Sequence, residues 1–225
     1  MRLIRVLAVA AALGTLAVQT SAAQGDRPFK DAWFWGVKSG ALLYTSQSTS
    51  NGAAPILGGE WLIVRSQGGL YLSLDQAFLT TTGGFIDRDP DSSSTFMRKV
   101  NLNNVRRFNA VAMAFPWQSV NLHPYVGGGL SLQAIGSAAL VTPISNPARN
   151  QVAQDSIVDK KAVFTPVFVA GLQLRELPWS AFAQVVVSPV QQKFFLSDPG
   201  GSRPIMASIE AGIRWNVGSS IDRSR

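Results

Sequence analysis

The segment Trp33–Tyr44 (WFWGVKSGALLY) indicates the fold class, because its side chains alternate between an apolar face and a more polar one. One face carries tryptophan, valine, alanine and leucine, and the opposite face holds the single charge, Lys38. The closing segment Ala207–Val217 repeats this pattern, with Glu210 and Arg214 on its polar face. A period of two is that of a β-strand with one apolar side. The two segments therefore predict amphipathic strands near both ends of the chain.

Strand-like segments of similar length, separated by turn residues, continue through the sequence. We predict eight strands, each about the ten residues that a tilted membrane strand needs. They cover residues 32–44, 56–65, 69–79, 107–115, 123–135, 163–175, 179–188 and 205–217.

The predicted connections alternate between short and long. The short ones are Arg65–Gly69, Pro116–Leu122 and Glu176–Pro178, and the long polar ones are Thr45–Pro55, Thr80–Arg106, Gly136–Ala162 and Pro189–Pro204. In an up-and-down meander, odd and even connections lie at opposite ends. Outer-membrane barrels have short periplasmic turns and long external loops. The alternation predicts an all-β, eight-stranded antiparallel up-and-down transmembrane barrel.

The polar strand faces carry six charges, three of each sign: Lys38, Glu60, Asp75, Arg175, Glu210 and Arg214. A lysine or arginine facing lipid at the bilayer midplane costs about 2–4 kcal/mol. Turned inward, the same charges can pair with one another. We therefore predict that they form an ionic network inside the barrel.

Five tryptophans are predicted to lie at the end with the short turns: Trp33, Trp35, Trp117, Trp179 and Trp215. Indole rings prefer the interface between membrane and water. Their positions predict an aromatic girdle on the periplasmic side.

The first residues have the features of a secretory signal peptide. Arg2 and Arg5 precede the apolar run Val6–Val18, and small residues end at Ala23. We predict a signal peptide at residues 1–23 and a barrel domain at 24–225. An uncleaved anchor helix is the alternative, but thirteen apolar residues are few for a span of about twenty.

Composition excludes other classes of protein. The chain has no cysteine, so it can form neither disulfides nor cysteine metal sites. Beyond residue 23 it has no apolar run long enough for a membrane helix. The formal net charge of +7 falls to about +5 once Arg2 and Arg5 leave with the signal peptide. This modest positive charge suits an anionic membrane surface, and an exported chain gives no reason to expect nucleic acid binding.

Three segments resemble the small bacterial outer-membrane β-barrel family of OmpA and OmpX type. They are Trp35-Gly36-Val37-Lys38-Ser39-Gly40, His123-Pro124-Tyr125-Val126-Gly127-Gly128-Gly129 and Ile209-Glu210-Ala211-Gly212-Ile213-Arg214-Trp215. The resemblance covers the chain after the signal peptide. It implies a bacterial outer-membrane location, insertion by the barrel-assembly machinery and contact with outer-membrane lipid.

We expect no catalytic, cofactor-binding or metal-binding residues. The single histidine, His123, is placed at the periplasmic rim, away from the outer end where lipid-modifying barrels of this kind work. Four basic residues of the second long loop are candidate contacts for lipopolysaccharide phosphates, which guanidinium groups bind in a bidentate manner. They are Arg98, Lys99, Arg106 and Arg107.

The function expected from these features is a monomeric, non-enzymatic outer-membrane protein with a structural or surface-interaction role. One alternative is a narrow pore gated by Lys38. A second is a soluble, lipocalin-like ligand carrier, which would place its apolar strand faces inside.

Overall fold

A computed structural model describes residues 31–46, 49–88, 95–117, 121–141, 146–159, 161–176, 178–189, 196 and 205–219. The predicted signal peptide at 1–23 lies outside these residues, so it stays a prediction. No helix in the described ranges has the length and apolar character to cross a membrane.

Eight antiparallel strands form one closed barrel in which each strand pairs with its neighbours in sequence and β8 closes onto β1. The strands are β1 Ala32–Ser46, β2 Thr49–Arg65, β3 Gly68–Arg88, β4 Thr95–Ala114, β5 Leu122–Leu140, β6 Ala162–Glu176, β7 Trp179–Pro189 and β8 Ile205–Ser219. Among the described residues one helix, α1, spans Pro147–Asp159 between β5 and β6. The predicted eight-stranded up-and-down barrel is confirmed.

The register shows how strongly the strands are staggered. Starting from Lys38, the pairing through β2, β3 and β4 reaches Gln133 on β5. The pairing in the other direction, through β8, β7 and β6, reaches His123 on the same strand. The ten-residue offset between these endpoints is the shear of the barrel, and such a stagger requires tilted strands. An eight-stranded barrel of this kind is just wide enough for side chains to fill.

Two of the predicted long loops are largely strand. β1 and β2 continue to within two residues of each other, and β3 pairs with β4 as far as Arg88 and Thr95. These extensions are rich in Thr, Gly, Ser and Asn, and such residues favoured loops in the sequence interpretation. Backbone pairing does not need an apolar face where the strands extend beyond the lipid. We call the end of the barrel that carries these strand extensions the hairpin end. The opposite end, which carries Trp33, Trp35, Trp179 and Trp215, is the tryptophan end.

Helix α1 was not predicted. It begins after Asn146, whose side-chain oxygen accepts a hydrogen bond from the Arg149 backbone N–H at 3.3 Å. Pro147 occupies the first helical position, where a missing N–H costs nothing. Asparagine followed by proline is a helix start signal. The buried face of α1 consists of only Ala153 and Ile157, too few apolar residues to give a clear helical period.

Candidate functional site in the barrel interior

The two faces of the strands have opposite chemistry. Large apolar side chains are exposed on the outside, among them Val37, Leu57, Leu74, Leu130, Phe164, Phe168, Leu172, Ile209 and Ile213. Charged and amide side chains are buried on the inside, among them Lys38, Glu60, Asp75, Asn109, Gln133, Gln173, Gln184, Glu210 and Arg214. A soluble ligand-binding barrel has the reverse arrangement. The observed faces suit a barrel that is surrounded by hydrocarbon.

Four charges meet near mid-depth in a closed square, which we call the ionic quartet: Lys38, Asp75, Arg107 and Glu210. The Lys38 Nζ lies 3.0 Å from Asp75 Oδ1 and 2.6 Å from Glu210 Oε2. Arg107 Nη2 lies 3.0 Å from Asp75 Oδ2 and also pairs with Glu210 Oε1. Each cation contacts both carboxylates, so the charges balance within the quartet.

Neutral side chains add hydrogen bonds to the quartet. Asn109 Nδ2 donates to Asp75 Oδ2 at 3.0 Å, and Ser208 Oγ donates to Glu210 Oε1 at 2.5 Å. Lys38 Nζ donates to Tyr71 Oη at 2.8 Å, and Gln184 Nε2 donates to Glu210 Oε2 at 2.9 Å. Charge-assisted bonds of this kind are stronger than neutral ones, and burial increases what is lost when a partner is removed.

Inward glycines let these side chains meet across a strand. Gly58 lies between Lys38 and Asp75 in the register. A Cβ at Gly58 would lie 2.2 Å from Asp75 Oδ1. Gly36 lies between Glu60 and Arg214 in the same way, and a Cβ there would lie 2.8 Å from Glu60 Oε1. The absence of a side chain at these two positions is what brings the charges into contact.

A second ionic group lies closer to the tryptophan end. Arg214 Nε donates to Glu60 Oε1, and Arg214 Nη1 donates to Gln173 Oε1 at 2.6 Å. The guanidinium carbon also lies 3.8 Å from the centroid of the Phe182 ring and 5.4 Å from that of Tyr125. Contact with aromatic faces favours arginine over lysine here.

Five of the six predicted interior charges lie in these two groups, and the sixth, Arg175, lies outside both of them. Arg175 is half-buried near the mouth of the barrel at the tryptophan end.

The single histidine, His123, lies inside the same mouth, and its side chain is only 2% exposed. The structure keeps His123 at the start of its strand at this end of the barrel, as the sequence indicated, but its side chain points inward and is buried. Its strand begins one residue earlier, at Leu122, and the alternation along β5 turns His123 inward.

Two of the four candidate lipopolysaccharide contacts were misplaced. Arg107 belongs to the ionic quartet, and Arg98 is buried, where its Nε lies 2.8 Å from Asp87 Oδ2. Both residues lie on the inward face of β4, whereas the sequence interpretation put Arg98 in the second long loop and Arg107 where that loop meets its strand. Lys99 and Arg106 lie on the outward face and are exposed. The strand could not be oriented from the sequence because Phe108–Met113 is mainly apolar on both faces.

Two apolar clusters close the interior above and below the ionic groups. At the hairpin end, Ala153 and Ile157 of α1 pack with Leu42, Tyr44, Ile56, Leu79 and Leu102. Asn150 of α1 accepts a hydrogen bond from Arg98 Nη1 at 3.1 Å, which ties the helix to β4. At the tryptophan end, the buried cluster contains Phe34, Leu62, Val64, Val111, Met113 and Phe115. The described part of the barrel is thus a filled cylinder.

Four tryptophans form a continuous row around one side of the barrel. Trp179, Trp215, Trp35 and Trp61 are register partners on β7, β8, β1 and β2. The Trp179 and Trp215 rings are arranged edge to face with their centroids 4.0 Å apart, and the Trp35 and Trp61 rings are stacked with their centroids 5.5 Å apart. Trp33 contacts Trp61, and Trp117 is exposed at the same end. All five predicted girdle residues thus lie at one end, and Trp61 joins them.

The fold has counterparts among solved structures. Neisserial surface protein A superimposes with a TM-score of 0.50 at 9% identity, over 81% of this chain and 96% of that one. Ail of Yersinia pestis gives 0.45 at 10% identity, over 83% and 100% of the two chains. The N-terminal barrel domain of Pseudomonas aeruginosa OprF gives 0.37 at 15% identity, over 80% and 97%.

No protein-family model and no curated protein matches the sequence. The conclusion therefore rests on the closed eight-stranded topology, the apolar exterior and the likeness to Neisserial surface protein A. The chain has the fold of the small bacterial outer-membrane β-barrels, the OmpA- and OmpX-like proteins that its strand patterns resemble.

Proposed function

We propose that this protein is a monomeric, non-enzymatic barrel of the bacterial outer membrane with a structural or surface-interaction role. The observation that carries the proposal is the filled interior, in which two apolar clusters enclose balanced ion pairs. An interior of this kind stabilises the barrel and leaves the extended hairpins and α1 as the parts presented to the outside. Insertion would depend on the barrel-assembly machinery.

Two measurements on the full chain test this proposal. On an unheated gel, the membrane fraction should give a band that changes mobility on boiling, as expected of a small closed barrel. In planar bilayers, the purified protein should show no stable open-channel current. A steady open channel would contradict the structural role, and recovery of the protein in osmotic-shock fluid would contradict the location.

A narrow gated pore is the second candidate, and the ionic quartet is the observation that favours it. Lys38 contacts two carboxylates at once, so it could exchange partners and open a path. If so, replacing Lys38 with alanine should raise single-channel conductance in planar bilayers. Unchanged current for Lys38→Ala, in a variant that keeps the mobility shift on boiling, would count against the pore.

Outward-facing basic residues at the hairpin end support contact with lipopolysaccharide phosphates. Arg106 is two residues from the exposed Phe108, on the side toward the hairpin end. Lys99 lies farther along the same strand face. Arginine at this height can bind phosphate with two parallel hydrogen bonds. We therefore assign the contact to Arg106 and Lys99.

Replacing Arg106 with alanine should weaken lipopolysaccharide binding by about two- to tenfold, the equivalent of one hydrogen-bonded contact. The affinity can be measured by thermophoresis of the protein in uncharged micelles. Arg65→Ala is the matched control, because Arg65 is exposed at the tryptophan end, where outer-leaflet lipid is not reached. Equal losses in the two variants would reject the assignment.

A further inference from the structure

Backbone pairing between β6 and β7 stops before either strand ends. The last register partners toward the hairpin end are Phe168 and Val187. β6 nevertheless begins at Ala162, and β7 continues to Pro189. Continuing the register by two residues places Pro166 opposite Pro189, and both prolines are exposed on the outward face. The two strands therefore run side by side without described pairing from these prolines to the hairpin end.

The two opposed prolines explain why this pairing stops. Inward residues of β6 direct their N–H groups to the β5 side, as the Arg175 N–H does in donating to Asn121 O at 2.9 Å. Inward residues of β8 direct theirs to the β7 side, as the Asn216 N–H does in donating to Pro178 O at 3.1 Å. Outward backbone groups of β6 and β7 therefore face each other across their boundary. Proline has no N–H, so neither of the two hydrogen bonds expected at this position can form.

A second boundary of this kind lies on the opposite side of the barrel, between β2 and β3. Its pairing stops at Ile56 and Ala77, although both strands continue toward the hairpin end. The inward Phe115 at the end of β4 donates its N–H to Gln67 O beside β3 at 2.8 Å. Outward backbone groups of β2 and β3 therefore face each other. The next outward residue of β2 is Pro55, which again lacks the N–H that the pairing needs.

These boundaries divide the wall between the prolines and the hairpin end, which we call the hairpin half, into two half-sheets. One consists of β3, β4, β5 and β6, and the other of β7, β8, β1 and β2. Within each half-sheet, backbone pairing continues into the hairpin half. Among the described residues, the half-sheets meet there through the apolar cluster and a 2.9 Å hydrogen bond between the Ser46 and Thr81 hydroxyls. The ionic quartet joins them at the base of the division, because two of its four ion pairs cross from one half-sheet to the other.

We propose that the hairpin half opens sideways between β6 and β7, while the ionic quartet keeps the rest of the barrel closed. Such an opening breaks no described β6–β7 pairing, whereas parting two strands within a half-sheet breaks a hydrogen-bonded ladder. The boundary lies beside the exposed Phe164 and Phe168, so it faces hydrocarbon. Apolar side chains of the hairpin-end cluster lose little on meeting lipid chains, which are as apolar as the cluster itself. Lipid chains thus contact the cluster when the half-sheets separate.

The test uses the full chain in lipid vesicles with one cysteine added, because the natural sequence has none. Ser188→Cys places a thiol beside the β6–β7 boundary, and the control Ser131→Cys places one on β5, where both neighbouring strands are paired. Both serines are buried, and neither hydroxyl has a hydrogen-bond partner among the described residues. Pyrenylmaleimide dissolved in the bilayer should label Ser188→Cys at least about tenfold faster than Ser131→Cys, as local opening predicts. A charged methanethiosulfonate added to the water should label Ser188→Cys more slowly than pyrenylmaleimide does.

Replacing Pro166 and Pro189 together with alanine restores the two missing N–H donors. Labelling of the Ser188→Cys thiol should then slow by about tenfold, the equivalent of two backbone hydrogen bonds. Pro124→Ala is the matched control, because Pro124 lies on β5 at the tryptophan end, away from this boundary. It should leave the labelling rate unchanged.

Three results overturn the proposal, each in variants that keep their mobility shift on boiling. Pyrenylmaleimide labels the two cysteine variants at equal rates, or the charged reagent labels Ser188→Cys as fast as pyrenylmaleimide does, which indicates fraying into water. The third is a labelling rate that the two alanine replacements leave unchanged. The two cysteine variants alone decide the matter if the alanine variant does not fold. The inference rests on the membrane location proposed above, which the osmotic-shock fractionation tests separately.

Discussion

Replacing Glu210 with glutamine should lower the free energy of unfolding by about 3–5 kcal/mol, the range for breaking a buried ion pair by removing one partner. Glu210 contacts both cations of the ionic quartet. Without its charge, Lys38 and Arg107 must share Asp75, and one positive charge stays buried without compensation. Urea unfolding of the protein in lipid vesicles, followed by tryptophan fluorescence, gives the measurement.

The matched control is the double variant Lys38→Met with Glu210→Gln, which removes one charge of each sign. The remaining pair of Arg107 and Asp75 is balanced and keeps its contact at 3.0 Å. Replacement of a buried pair by uncharged groups of similar volume is often nearly neutral. We therefore expect the double variant to be more stable than Glu210→Gln alone. Stability equal to or below that of the single variant would show that charge balance does not hold the quartet together.

A methyl group added at Gly129 should destabilise the barrel by about 1–3 kcal/mol or more, as overpacking does. Gly129 faces inward on β5, and its Cβ would lie 2.0 Å from the backbone oxygen of Ala110 on β4. A backbone atom in a paired strand cannot rotate away as a side chain can. The change requires the two strands to move apart, and the same unfolding measurement detects it.

The neighbouring residue provides the control. Gly128 faces outward, and a Cβ there meets only the Phe168 ring at 3.8 Å, which is ordinary contact. Gly128→Ala should change stability by no more than about 1 kcal/mol, with stabilisation expected because glycine is unfavourable in a strand. If the two alanine variants behave alike, close packing of β4 and β5 is not the reason for glycine at position 129.

The alternation of side chains along the strands is sufficient to predict the fold. Because successive residues in a strand point to opposite faces, the spacing of Lys38, Glu210 and Arg214 against apolar neighbours was enough to show which side is polar. The energetic cost of charge in lipid then gave the inward direction. The order of the strands, with short and long connections in alternation, then placed the tryptophans at the end of the barrel with the short turns.

The partners of each charge depended on register, which no local pattern contains. Arg107 meets Asp75 because β3 and β4 are register partners at those residues, and Lys38 reaches the same carboxylate across Gly58. Sequence spacing does not reveal that glycine and charge lie side by side on different strands.

The class of fold, the polar interior and the end of the barrel where the indole rings collect can be predicted from the amino-acid sequence, because each depends on periodicity along one strand or on the order of the strands. The ionic pairing, the inward turn of His123 and the packing of α1 into the hairpin end are seen only in the folded barrel. Those features depend on the ten-residue stagger of the strands and on contacts between residues distant in sequence. Side-chain burial and ion pairing stabilise the protein through such contacts, so no local pattern can predict them.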